Sequence, residues 1–152
     1  MQTVFKWYLA STTPLVNFMT TTIATLASST LSAASSITQV NTSQLRQYCD
    51  VELVVGTTAG AFGVGASATV YLIPRVGSAA VEVDRTQLQS VFVFPLTTST
   101  ANTQHRVART IGGVSPSDFQ VALYNGTTQA WSTGSGDNTL GLAFYDEQVT
   151  TS

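Results

Sequence analysis

The sequence predicts an all-β protein: an antiparallel β-sandwich or jelly-roll-like domain, preceded by an extended or partly helical N-terminal arm. Three observations predict it. From Asp50 onward, apolar residues recur with the two-residue period of a strand. Turn residues punctuate this part of the chain every 8–14 residues, the spacing of sandwiches and barrels. No helical stretch lies between the strands, so parallel βαβ winding is disfavoured. The chain of 152 residues is long enough for one ordinary domain and an additional segment.

The strand pattern begins with Val51, Leu53 and Val55 alternating with Glu52 and Val54, and Gly56 to Gly60 ends it. Ala68 to Ile73 is apolar on both faces, as a central strand would be, and stops at Pro74. A short strand is expected at Ala80–Val83 after the turn at Gly77. Another two-faced one is expected at Val91–Phe94, ended by Pro95. His105 to Ile111 alternates and closes at Gly112-Gly113, and Phe119 to Tyr124 alternates up to the turn at Asn125-Gly126. Leu140, Leu142 and Phe144 form the last apolar face. The two-faced strands need cover on their second face, from a partner subunit or from the N-terminal segment.

That segment, residues 1–47, reads differently from the sandwich expected over 48–149. Trp7 to Leu45 contains neither a charged residue nor a glycine, and Thr20 to Ile37 is a low-complexity run of Thr, Ser and Ala. A faint three-and-four spacing passes through Val16, Met19, Ile23, Leu26 and Ile37, weakened by mediocre helix formers. A helix on a partner, an extended arm over a neighbour and a linker are the three readings. A free linker is disfavoured, because it would leave Ile23, Leu26, Leu31 and Ile37 in water. An arm that orders on assembly is the expectation.

Composition points the same way. Charged residues make up 9% of the chain, against about 25% in an ordinary soluble domain, and Thr and Ser take their place. A surface of neutral hydroxyls and small apolar groups can be packed against a neighbour without desolvating charge. The net charge of −2 and six scattered basic residues make no phosphate-tracking stripe, so no nucleic-acid partner is expected. No stretch reaches the roughly 20 apolar residues of a membrane helix, and the first residues lack the layout of a signal peptide. Cys49 is the single cysteine, so neither an internal disulfide nor a zinc cage is expected.

Candidate chemistry is sparse. His105 is the one histidine, and neither Cys49 nor any serine has an activating context around it. Asp50/Glu52, Glu82/Asp84 and Asp146/Glu147 pair carboxylates, and the first two pairs share a strand face through their i, i+2 spacing. Glycosidase chemistry wants such a pair in an aromatic-walled groove, whereas Arg46 or Arg85 could equally neutralise these acids. Gly134 to Asn138 resembles half a calcium loop but lacks the final glutamate, and a turn is the simpler role. Asn41-Thr42-Ser43 and Asn125-Gly126-Thr127 match the glycosylation triplet, which arises often by chance in a Thr-rich chain. No catalytic residue, metal site or cofactor is expected, and the protein is not read as an enzyme. The residues expected to engage partners are Trp7, Tyr8, Ile23, Leu26, Leu31, Ile37 and Trp131. Large aromatics serve as interface anchors or as sugar platforms, and the interface role is favoured.

Several stretches carry a resemblance. Val51 to Val55, Ala68 to Pro74, Phe94-Pro95-Leu96, Pro116 to Thr127, Asp137 to Leu142 and Tyr145 to Gln148 together resemble small β-sandwich structural proteins of tailed-phage particles, over roughly residues 50–148. The likeness lies in strand-and-turn patterns rather than in a chemical signature. It implies a capsid decoration or cement protein on the virion surface, made in the host cytoplasm and bound to the major capsid protein and to copies of itself as a trimer. A neck, tail or fibre-attachment role would use the same fold. A carbohydrate-binding module, resting on Trp131 and the acidic strands, is the alternative outside particles.

Overall fold

The computed structural model describes residues 3–9, 15–35, 38, 47–58, 60–75, 88, 90–96, 104–114, 117–131 and 137–151, of which 3–9, 90–91 and 146–151 are described as backbone. Two antiparallel sheets pack face to face as a β-sandwich. Among the described residues the strands are β1 (Thr3–Leu9), β2 (Leu15–Met19), β3 (Tyr48–Val55), β4 (Ser67–Pro74), β5 (Ser90–Pro95), β6 (His105–Gly112), β7 (Phe119–Asn125) and β8 (Thr139–Thr151). The larger sheet runs β1-β8-β3-β6 with β2 also on β8, and the smaller runs β5-β4-β7. Six of these strands fall where the period-two pattern predicts them. The segment expected as a strand at Ala80–Val83 lies outside the described residues.

The core follows from alternation. Cys49, Val51, Leu53 and Val55 on β3 face Val70 and Leu72 of β4 and Val121 and Leu123 of β7, with Leu140, Leu142 and Phe144 of β8 beside them. Each is nearly inaccessible to water, and burying such a side chain stabilises the fold by roughly 1.5–3 kcal/mol.

β1 and β2 were invisible to the sequence pattern. Tyr145 pairs with Tyr48 of β3 on one side and Leu9 of β1 on the other, and Leu142 likewise pairs with Val51 and Val16. The two strands therefore lie end to end along one edge of β8. Past Tyr145, β8 is paired among the described residues by β1 alone, forming a two-stranded ribbon that carries Thr3–Tyr8 and Asp146–Thr151 beyond the end of β3.

The expectation of an arm lying over a neighbour differs from the structure between residues 15 and 35, which pack on the chain's own sandwich. After β2 a 3₁₀ turn (Thr21–Ile23) drops Ile23 into the core at 0% exposure, and Leu26 follows at 7%. The physical reason is the one that disfavoured a linker: apolar side chains need cover, and here the chain supplies it. Leu31 and Ala34 then lie with Leu88 against Tyr71, Ile73 and Ala122. The N-terminal segment thus covers the second face of β4 and β7, one of the two sources of cover expected. Val93 of β5, by contrast, remains 46% exposed.

Candidate functional site

Two buried asparagines hold the N-terminal segment in place. Asn138 donates to the carbonyls of Ile23 (3.2 Å) and Ala24 (3.0 Å) while its Oδ1 accepts from Gly56 N–H at 2.8 Å. Asn125 donates to the carbonyls of Leu26 (3.0 Å), Ala27 (3.1 Å) and Gln129 (2.9 Å), and its Oδ1 accepts from Thr127 N–H. With Asn125 at 0% exposure and its amide nitrogen engaged, the Asn-Gly-Thr triplet there is closed to glycosylation in the folded chain. Asn138 shows what the loop resembling half a calcium site does at its end: it fastens a strap, while Asp137 is exposed.

Beyond these clamps, residues 29–35 run along β7. Ser29, Ser32 and Ser35 donate backbone N–H groups to the carbonyls of Asn125, Leu123 and Val121 at 2.8, 2.9 and 2.7 Å. In return, Ser32 Oγ accepts from Leu123 N–H at 3.0 Å and Ser35 Oγ from Val121 N–H at 3.1 Å. Ser32 and Ser35 therefore supply side-chain oxygens where a regular strand would supply carbonyls, while Asn125 N–H is met by the Thr30 carbonyl at 2.9 Å. That is the use of the Ser/Ala run, and it satisfies the strand edge that would otherwise be a template for unwanted pairing.

The residues singled out for chemistry are placed as follows. Cys49 is buried, and burial, with the neighbouring Asp50 carboxylate adding to it, pushes its thiol from 9.0 up to about 12. A thiol held protonated in this way is a poor nucleophile. His105 opens β6 with its ring 4.9 Å from that of Phe62. Among the described residues no group of three His, Cys, Asp or Glu side chains could hold a metal ion. Glu82, Asp84 and Gly134–Gly136 lie outside the described residues, and Asp146 and Glu147 are described only as backbone on β8.

The residues expected at an interface separate. Trp131 is 2% exposed in the core, its backbone N–H donating to the Leu26 carbonyl at 3.1 Å. That corrects its expected role as an exposed anchor or sugar platform, because a ring surrounded by the chain's own core has no free face. Ile23 and Leu26 are corrected for the same reason, and Leu31 is half-buried against Tyr71 and Ile73. Trp7 and Tyr8 sit on β1, opposite Glu147 and Asp146 in register. Ile37 lies outside the described residues.

What the structure brings together instead is the outer face of the larger sheet. Tyr48, Asp50 and Glu52 share that face of β3 by their two-residue spacing. Arg106 grips Glu52 through Nε at 2.8 Å and Nη2 at 3.1 Å, which holds its guanidinium above the ordinary arginine value, and Thr110 donates to Asp50 at 2.6 Å. The cross-strand neighbours of the two acids are small. Glu52 stands between Ala108 and Gly141, and Asp50 between Thr110 and Ala143. The result is an open groove of about 410 Å³ lined by Leu15, Asp50, Glu52, Ala108, Arg109 and Thr110. At one end the rings of Tyr48 and Tyr145 stack with centroids 5.6 Å apart and planes 11° from parallel. Sequence reading identified the acid pair and missed the rest, since Leu15, Ala108 and Gly141 carry no chemical signal and meet only through sheet register.

Fold and face together define a class, an antiparallel sandwich with an ion pair on the outer face of its larger sheet. No protein-family model matches the chain, and no curated protein matches it.

Proposed function

We propose that this protein is a non-catalytic structural component of a tailed-phage particle, acting as a capsid decoration or cement protein. The observation that carries the reading is the β1–β8 ribbon. A two-stranded ribbon is marginally stable in water by itself, and among the described residues these strand ends are paired only with each other. Packing on a neighbouring subunit is the natural source of the missing stabilisation. Charge depletion supports the same reading, because 9% charged residues leave a surface that docks without desolvating ions. The partners would be the major capsid protein and further copies of this chain, arranged as a trimer.

The test is binding of the full-length chain, and of a variant lacking residues 1–9, to purified capsids stripped of the protein. The full-length chain is expected to co-sediment with capsids and the shortened one to remain in the supernatant. Retention on tails or necks rather than heads would move the assignment to a neck, tail or fibre-attachment role. Failure of the full-length chain to bind any particle fraction would overturn the reading.

A further inference from the structure

We propose that the outer-face groove between Leu15 and β6 is a binding site for a neutral, hydroxyl-rich ligand, a saccharide. It goes beyond a role in assembly and does not depend on it. The shape is the first reason. An exposed sheet face is normally filled by cross-strand pairs of β-branched or long side chains. Here Ala108 leaves the carboxylates open on one side, and on the other Leu15 lies directly over Gly141, so the two acids stand beside an aliphatic wall. Its volume of about 410 Å³ falls in the range of small-molecule sites, roughly 300–1,000 Å³.

The chemistry of the lining is the second reason. Glu52 is matched by Arg106 and Asp50 by the Thr110 hydroxyl, while the Arg109 guanidinium lies over the Phe92 ring on the opposite face of the sheet. The site therefore presents fixed polar groups with one carboxylate charge uncompensated. Glu52 and Arg106 orient each other through two hydrogen bonds, and Asp50 accepts one from Thr110 with acceptor capacity left over. Such pre-set donors and acceptors suit vicinal hydroxyls, which both donate and accept, and their prior ordering lowers the entropic cost of binding. An anion would meet two carboxylates. A metal ion would meet a Glu52 already paired with arginine, in a region where no three-ligand cluster exists among the described residues. Leu15, 38% exposed, offers an aliphatic wall for the C–H face of a sugar ring, and the Tyr48–Tyr145 stack continues that wall with aromatic surface.

The experiment is a glycan array of neutral and sialylated oligosaccharides probed with labelled full-length protein, followed by amide NMR titration with the neutral oligosaccharides bound. Binding to neutral glycans is expected, with the largest shifts at Tyr48, Asp50, Ala108 and Thr110. Ala108→Leu, which fills the groove from an exposed position, and Asp50→Asn, which removes a charged acceptor, are each expected to weaken binding ~tenfold or more. Asp50 is exposed, so its variant keeps the proposal testable should the fuller side chain at 108 disturb β6. The proposal is overturned by absence of neutral-glycan binding at about 10 mM, the weak end of useful affinity. Binding of sialylated glycans alone, calcium chloride shifting these amides when glycans do not, or unchanged affinity in both variants would overturn it equally. Since capsid attachment is read by removing residues 1–9, failure here leaves the assembly reading standing, and the reverse holds as well.

Discussion

Cys49 shows how position converts a reactive residue into packing material. Its side chain occupies an inward position of β3, between strands that contribute Ile111 and Phe144 in register. Burial first, and then the adjacent Asp50, raises the thiol to about 12. Below pH 9 both folded and unfolded chains hold the proton, and the group leaves stability unchanged. Between pH 9 and 12 only the unfolded chain releases it, so stability should fall by about 1.4 kcal/mol per pH unit. Urea unfolding of the wild type and of Cys49→Ala across this window isolates the effect as the difference in slope. Equal slopes would show that the thiol is not its source. Alkylation at pH 8 should likewise be slow in the native protein and fast in denaturant.

The strap at residues 29–35 is an element that secondary-structure categories describe poorly. It is neither helix nor regular strand, yet it engages Val121, Leu123 and Asn125 along the edge of β7. Three of its residues span two of β7, so after the Thr30 carbonyl has accepted from Asn125 N–H, the hydroxyls of Ser32 and Ser35 accept from the next two amides, Leu123 and Val121. Replacing Ser32 and Ser35 by alanine should leave the buried amides of Leu123 and Val121 without acceptors. Each loss should cost about 1–3 kcal/mol, with faster hydrogen exchange at those two amides specifically. Unchanged protection at both would mean that the hydroxyls are dispensable acceptors. The strap also explains why β4 and β7 are apolar on both faces: Leu31 and Ala34 lie over Tyr71 and Ala122.

At the scale of the molecule, the N-terminal third divides into parts of unequal importance to folding. Residues 15–35 contribute Phe18, Met19, Ile23 and Leu26 to the core, whereas residues 3–9 pair with β8 in the ribbon. Deleting residues 1–45 should abolish the cooperative unfolding transition, since losing four buried apolar side chains at about 2–5 kcal/mol each is a loss as large as the whole of a typical stability, about 5–15 kcal/mol. Deleting residues 1–9 should leave that transition in place, as read by near-UV circular dichroism and calorimetry. A folded product from the longer deletion would show that the segment is an appendage after all.

The identity of β3 to β8 as strands was a property of the sequence alone, because an alternation such as Val51, Leu53, Val55 can bury one face only as a strand, and Asn125-Gly126 or Gly112-Gly113 can end it. The acid pair on β3 was legible for the same reason, since residues two apart share a face. What the tertiary structure decided was everything that depends on which strand lies next to which. The order β6-β3-β8 sets Ala108 and Gly141 beside Glu52 and opens the groove. The pairing of β1 and β2 with β8, and the clamps of Asn125 and Asn138, turn an uncharged low-complexity stretch into part of the sandwich. Periodicity is a local property carried by consecutive residues, whereas register and burial are set by partners far along the chain, such as Thr151 opposite Thr3, and no local pattern encodes them.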